Sequence, residues 1–208
     1  MAASPVAVAG RPSTSRGRRT RAALLAAGRE VFEEVGYGPA RIDLVADRAG
    51  VSHGTFYTYF DSKAALLREV SRTVVGEMFV DTRVGDQAGL DAYARIEAAN
   101  RLYLDAWARN SRLLRVLEQA AIDDPSLRPL TLEMREDFVR RLEDGLTRLA
   151  GDGLITLDLP LRPTAIALGG MVEHFAHVWL DLGEAVDAEV AVHTLTELWA
   201  RAIGLTRA

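Results

Sequence analysis

Residues 50–60 read GVSHGTFYTYF and run straight into 61-DSK-63. The segment joins a glycine turn to a serine, two threonines and four aromatic rings. A buried helix would repeat aliphatic residues at three- and four-residue spacing, and here only Phe56 and Phe60 share one helical face. Ser52, His53, Thr55, Tyr57, Thr58 and Tyr59 are therefore expected to face something polar.

Outward from this segment the pattern is helical. A basic arm, 11-RPSTSRGRRTR-21, carries five arginines without an apolar period and reads as flexible. Leu24, Gly28, Val31, Phe32 and Val35 then lie on one face of a first helix starting at Arg21, and Gly36 suits its C-terminus. A short second helix fits 42-IDLVADRA-49 with Val45, Ala46 and Ala49 inward, and Gly50 makes the turn. Ser52 is placed to cap a third helix by accepting an amide proton. A fourth begins after Asp61 or Ser62 and carries Leu66, Leu67, Val70 and Val74. Two short helices joined at a glycine turn and flanked by longer ones spell a helix-turn-helix.

The chain has 208 residues, 49% of them hydrophobic, enough to bury a substantial core. No cysteine is present, which excludes disulfides and thiolate metal sites. The opening MAASPVAVAG has no preceding positive charge and is too short for a signal sequence, so it reads as a disordered leader. No run reaches the ~18 uninterrupted apolar residues of a membrane span. A cytoplasmic protein without membrane contact is expected. The net charge is −4, but residues 1–72 hold eleven basic and seven acidic residues, leaving fourteen basic against twenty-two acidic beyond them. That asymmetry suggests a basic binding module on an acidic body.

In a helix-turn-helix the second helix enters the major groove of DNA, with some residues at base edges and others at phosphates. Hydroxyls and phenols then serve as donors to phosphate oxygens. Gly54 would allow close backbone approach, and the Thr55 methyl could touch a thymine methyl. The run 36-GYGPARIDLVADRAGVSHGTFYTYFDSKAALL-67 resembles the signature of the TetR family of bacterial transcriptional regulators. The shared positions are Gly36-Tyr37, Ala46, Ala49-Gly50-Val51-Ser52, Gly54-Thr55, Tyr57, Tyr59-Phe60, Ser62-Lys63 and Leu66-Leu67. Lys63 is the one lysine of the chain and falls where the pattern has its lysine. Two positions depart from it: Arg41 stands where a capping threonine is usual, and Asp43 where a basic or polar residue is frequent. Arg41 can bind phosphate directly. Asp43 would repel phosphate or accept from a cytosine amine.

The resemblance, which spans residues 18–70, implies an all-α fold with an N-terminal three-helix helix-turn-helix DNA-binding domain and a C-terminal helical ligand-binding and dimerisation domain. The expected division is a disordered basic arm at 1–17, the DNA-binding domain at 18–70 and the effector and dimerisation domain at 71–208. By analogy with the family, His53, Gly54 and Tyr57 would read bases. Ser52, Thr55, Tyr59, Lys63 and Arg41 would hold phosphate, with Arg16, Arg18 and Arg19 adding charge. The partners implied are double-stranded operator DNA with a pseudo-palindromic sequence, a small-molecule effector and a second copy of the chain. Repression released by the effector is the expected mode, with no cofactor.

After a glycine-bearing linker, 82-TRVGDQAG-89, helices are expected near 90–109, 111–122, 125–150, 163–182 and 187–204. Tyr93, Tyr103, Trp107, Met134 and Phe138 could line an apolar cavity, with Gln119, Glu118 or His174 orienting a ligand. Plain core packing explains the same residues equally well. The small residues of 164-TAIALGGMVEHFAHVWL-180 allow close helix approach, and with 190-VAVHTLTELWARAIG-204 they suggest a homodimer interface through 163–204. His174 and His177 beside Glu173 raise an enzyme alternative with a bound metal. The order Glu-His-x-x-His is not that of a zinc protease helix, and neither a phosphate loop nor a nucleophile elbow is present. A dimerising adaptor without DNA contact is disfavoured by the basic arm.

Overall fold

The structure, a computed structural model, describes residues 14–81 and 90–205, with side chains for all of these except 77–81. Among the described residues it is all-α, with eight α-helices and no strand beyond one isolated bridge between Ile155 and Leu205. The linker 82–89 and residues 1–13 lie outside the described residues. No helix among the described residues is long and apolar enough to cross a membrane.

The chain divides into two compact units, the first made of residues 1–74 and 112–131 and the second of 75–111 and 132–208. In the first unit α1 spans Ser15–Val35, α2 Ile42–Arg48, α3 His53–Tyr59, and α4, which continues into the second unit, Lys63–Asp81. The sequence places the start of α1 at Arg21, six residues too late. Thr14 caps it by accepting from Gly17 N at 3.1 Å, a local oxygen that overrides the lack of apolar period. Arg16, Arg18 and Arg19 therefore sit exposed on the first turns of a helix, not in a flexible arm. Gly36 closes α1 with φ +80°, its N–H on Phe32 O at 2.9 Å, and Gly50 turns α2 into α3 with φ +67°. Both positions favour a residue without Cβ.

The core of this unit is built from Leu24, Val31, Phe32, Val45, Phe56, Phe60, Leu66 and Leu67, all essentially buried. A Cβ on Gly28 would lie 2.6 Å from Leu66 Cδ2, so any side chain there would require the buried Leu66 side chain to shift. Residues 112–131, assigned from sequence to the second domain, cluster with the first and supply buried Leu113, Leu117, Leu127 and Leu130.

The helix α5 runs unbroken over Ala92–Asp123, so the expected division at Asn110 does not occur. Asn110 is buried and donates from Nδ2 to Ala106 O at 2.8 Å, which satisfies the amide inside the helix instead of breaking it. A 3₁₀ turn at Pro125–Leu127 leads into α6, Arg128–Gly151. Then α7 spans Leu161–Ala176 and passes into one wide π turn at His177–Asp181, and α8 spans Ala188–Ala202. In the second unit, buried Asn100 on α5 donates to buried Thr196 on α8 at 3.2 Å, so neither polar group is left unpaired.

Candidate functional site

The hydroxyl-rich segment forms α3 as expected. Ser52 Oγ accepts from Thr55 N at 3.2 Å and lies 2.8 Å from Thr55 Oγ1, so the cap joins both hydroxyls. With Phe56 and Phe60 turned into the core, the opposite face is left outward. Ser52, His53, Gly54, Tyr57 and Thr58 are exposed there, Tyr57 by 49%, while Thr55 and Tyr59 are half-buried. Open space surrounds Gly54, where a Cβ would meet only Ser52 Oγ at 4.0 Å. The face therefore offers donors, acceptors and rings on a short rigid helix.

Asp43, the residue without a clear role in the sequence, is the hydrogen-bond partner of His53 Nδ1. The His53 ring also lies 5.2 Å from that of Tyr57. Arg41 makes no capping bond; its Nη2 is 3.7 Å from Asp43 Oδ2 on a side chain that is largely exposed. Asp43 thus carries its charge between a histidine and an arginine, where it repels phosphate less than a lone carboxylate would.

Lys63 has a different task from the expected phosphate contact. Its Nζ donates to the carbonyls of Tyr37, Gly38 and Ala40 at 2.6, 3.1 and 3.0 Å, and lies 4.4 Å from the Tyr37 ring centroid. An ammonium has three donors, and all three are committed to the loop between α1 and α2. Burial lowers the Lys63 pKa, and the Asp124 charge partly opposes this. Nothing in one sequence position tells a phosphate lysine from a loop clamp, since the carbonyls lie 23 to 26 residues away.

In the second unit the structure brings together part of the expected effector set. Tyr103 stacks on Phe138 at 5.5 Å and lies 6.1 Å from Trp107. Burial, and secondarily the charge of Glu173, pushes the Tyr103 hydroxyl far above the ordinary tyrosine range. Trp107 Nε1 donates to Asp181 Oδ2 at 3.3 Å, and His177 Nδ1 lies 3.1 Å from the same oxygen. The Asp181 side chain is only 2% exposed, a carboxylate the sequence reading missed. Its one signal is position, four residues after His177. The other expected residues go elsewhere. Tyr93 donates to Glu197 at 2.8 Å, Met134 is half-buried, and His174 is exposed. Gln119 is exposed, bonds Asp123 and belongs to the first unit, as does exposed Glu118. The His174 and His177 rings are 6.5 Å apart, and no group of three or more acidic or histidine side chains among the described residues is arranged to hold a metal.

Comparison with known proteins gives these features a context. Residues 24–70 match the family model described as bacterial regulatory proteins, tetR family. The chain is 28% identical over 174 residues to the HTH-type transcriptional activator FasR of Mycolicibacterium smegmatis, covering 83% of this chain and 77% of that one. It is 35% identical over 82 residues to the HTH-type transcriptional repressor KstR2 of Rhodococcus jostii, covering 39% of each. Its fold matches the transcriptional regulator FadR of Bacillus subtilis, solved in complex with stearoyl-CoA, with TM-score 0.73 and 21% identity over 88% of this chain and 98% of that one. Residues 24–70 thus carry the helix-turn-helix segment of the tetR family of bacterial regulatory proteins, and the relatives to which the chain is similar in sequence are transcriptional regulators.

Proposed function

We propose that this regulator is a homodimeric repressor that binds a pseudo-palindromic operator through α3 and leaves it when an apolar or amphipathic effector binds the second unit. The observation that carries the DNA contact is the outward face of α3, where Ser52, His53, Gly54 and Tyr57 stand exposed on a helix anchored by Phe56 and Phe60. His53, Gly54 and Tyr57 serve as base readers. Ser52, Thr55, Tyr59 and Arg41 serve as phosphate contacts, joined by Arg16, Arg18 and Arg19 from the first turns of α1.

Dimerisation is assigned to residues 163–204. Ile166 on α7 and Val190 and Leu198 on α8 are large apolar side chains left 41 to 57% exposed, and Gly170 has open space beside it. A second copy would cover this surface and set two α3 helices at paired half-sites. The effector is assigned to the aromatic group Tyr103, Trp107 and Phe138, with Asp181 and His177 as polar neighbours. The stearoyl-CoA bound to the structurally similar FadR supports a long acyl chain as its class.

The test is a gel shift with random genomic fragments, followed by native mass spectrometry and thermal-shift measurements with fatty acyl thioesters, with and without the selected DNA. Retarded fragments released by an acyl thioester are expected. An effector must bind the DNA-incompetent arrangement more tightly, since equal affinity shifts nothing. Failure to retard any fragment would overturn the assignment of α3.

A further inference from the structure

The pairing of Asp43 with His53 has a chemical consequence for how a base would be read. Asp43 belongs to the first turn of α2 and His53 opens α3, and their side chains are 54% and 53% exposed. A carboxylate only accepts hydrogen bonds, so the ring nitrogen that faces Asp43 Oδ1 must carry a proton. The tautomer of a histidine is set by the bond its other nitrogen makes, and the proton on Nδ1 leaves Nε2 of the neutral ring as an acceptor. Among the described residues no protein group engages Nε2. The ring itself is held on two sides, by Asp43 at Nδ1 and by the Tyr57 ring at 5.2 Å. Arg41, 3.7 Å from the far carboxylate oxygen, holds Asp43 in turn.

We infer that Asp43 and His53 form one reading unit, in which Asp43 is a positioning residue that keeps the proton on Nδ1 so that His53 Nε2 accepts from an exocyclic amine in the major groove. Adenine N6 and cytosine N4 are the base groups that donate there, whereas guanine and thymine present acceptors at the equivalent positions. The unit thus selects an amino-bearing base at one position of each half-site. It also gives Asp43 a place on a face that meets phosphate, since one carboxylate oxygen accepts from His53 and the other lies 3.7 Å from the Arg41 guanidinium. This inference rests on the assignment of α3 as the DNA-reading helix.

The test is selection of bound duplexes from a library randomised across the operator. The full chain is compared with Asp43→Asn, His53→Ala and His53→Phe, each first checked for an unchanged melting temperature. The parent is expected to enrich adenine or cytosine at one position per half-site by about tenfold, the discrimination a single good base contact supplies. His53→Ala and His53→Phe should bring that one position below about twofold and leave the other positions as they were. Asp43→Asn should do the same without touching the imidazole, because an amide can accept from or donate to Nδ1 and so permits both tautomers. A merely structural Asp43 would lower affinity for all sequences equally and move no base preference. Retention of the parent preference by Asp43→Asn would overturn the inference, as would enrichment of guanine at the His53 position. If the parent enriches no motif at all, the DNA-reading assignment of α3 falls, and the inference falls with it.

Discussion

The Tyr37 hydroxyl donates to Asp124 Oδ2 at 2.9 Å, joining the loop after α1 to the turn that follows α5, 87 residues away. The same ring carries the Lys63 ammonium on its face, and Arg68 on α4 donates to Ser126 O at 3.3 Å beside it. Removing only the hydroxyl, by Tyr37→Phe, keeps the ring under Lys63. We expect a loss of about 0.5–1.5 kcal/mol in urea unfolding, the net worth of one such bond.

The two partners also give the first unit a pH dependence. Asp124 is held below the ordinary carboxylate value, first by Ser126 and then by Tyr37, so its folded form prefers the charge. Its contribution is present at neutral pH and is lost as the pH falls through the folded value, in the region below about 4. Tyr37 is raised far above the ordinary tyrosine value, first by burial and then by Asp124, so its folded form prefers the proton. Its contribution is intact at neutral pH and declines as the pH rises beyond about 10. Melting temperatures of the parent and Tyr37→Phe across pH should therefore converge at both extremes. A constant difference throughout would dissociate the bond from both titrations.

Lys63→Ala should act on folding more than on phosphate binding. Three carbonyls lose a charged donor at once, and about 2–3 kcal/mol of stability should go with them. The dependence of operator affinity on salt should keep its slope, since no phosphate contact is removed. A slope reduced by about one unit would place the ammonium on DNA instead.

Adjacent glycines on α7 should respond in opposite ways. A Cβ on Gly169 would stand 2.6 Å from Leu142 Cδ1 and 2.8 Å from Phe138 Cε1, so Gly169→Ala should cost about 1–3 kcal/mol by overpacking. Gly170 has nothing within 4 Å, so Gly170→Glu leaves the subunit fold intact while placing two like charges in a twofold interface. Sedimentation should show that variant as a monomer with a near-parental melting temperature. A dimer would move the interface away from this part of α7.

Trp107 separates core from effector contact. It is 7% exposed and bonds Asp181, so Trp107→Ala should cost about 3–5 kcal/mol and is a poor probe of binding. Trp107→Phe keeps an aromatic ring but removes the pyrrole part of the indole with its N–H, a smaller loss than truncation to alanine, with His177 still 3.1 Å from Asp181. Loss of an acyl-dependent thermal shift in the phenylalanine variant, with operator affinity unchanged, is the expected result.

What could be read without the fold was whatever is decided within a turn or two of chain. Ser52 caps α3 from three residues before Thr55, Gly36 and Gly50 take the left-handed backbone that ends a helix, and Phe56 and Phe60 share the buried face. The spacing of these residues therefore carried the helical pattern and the helix-turn-helix, while the family came from the resemblance of residues 36–67 to a known signature. Local signals also misled where a second local hydrogen bond outweighed the one that had been read. Asn110 looked like a break but found a carbonyl within its own helix, and Thr14 capped a helix whose first turns have no apolar stripe. The roles of the polar side chains lay beyond local reading altogether. Lys63, Asp43, Tyr37 and Asp181 are donors or acceptors whose chemistry fits many partners. Only the packing of separate helices brings Tyr37 to Asp124 or Asp181 beneath Trp107, because a hydrogen bond depends on distance in space and a sequence records only distance along the chain.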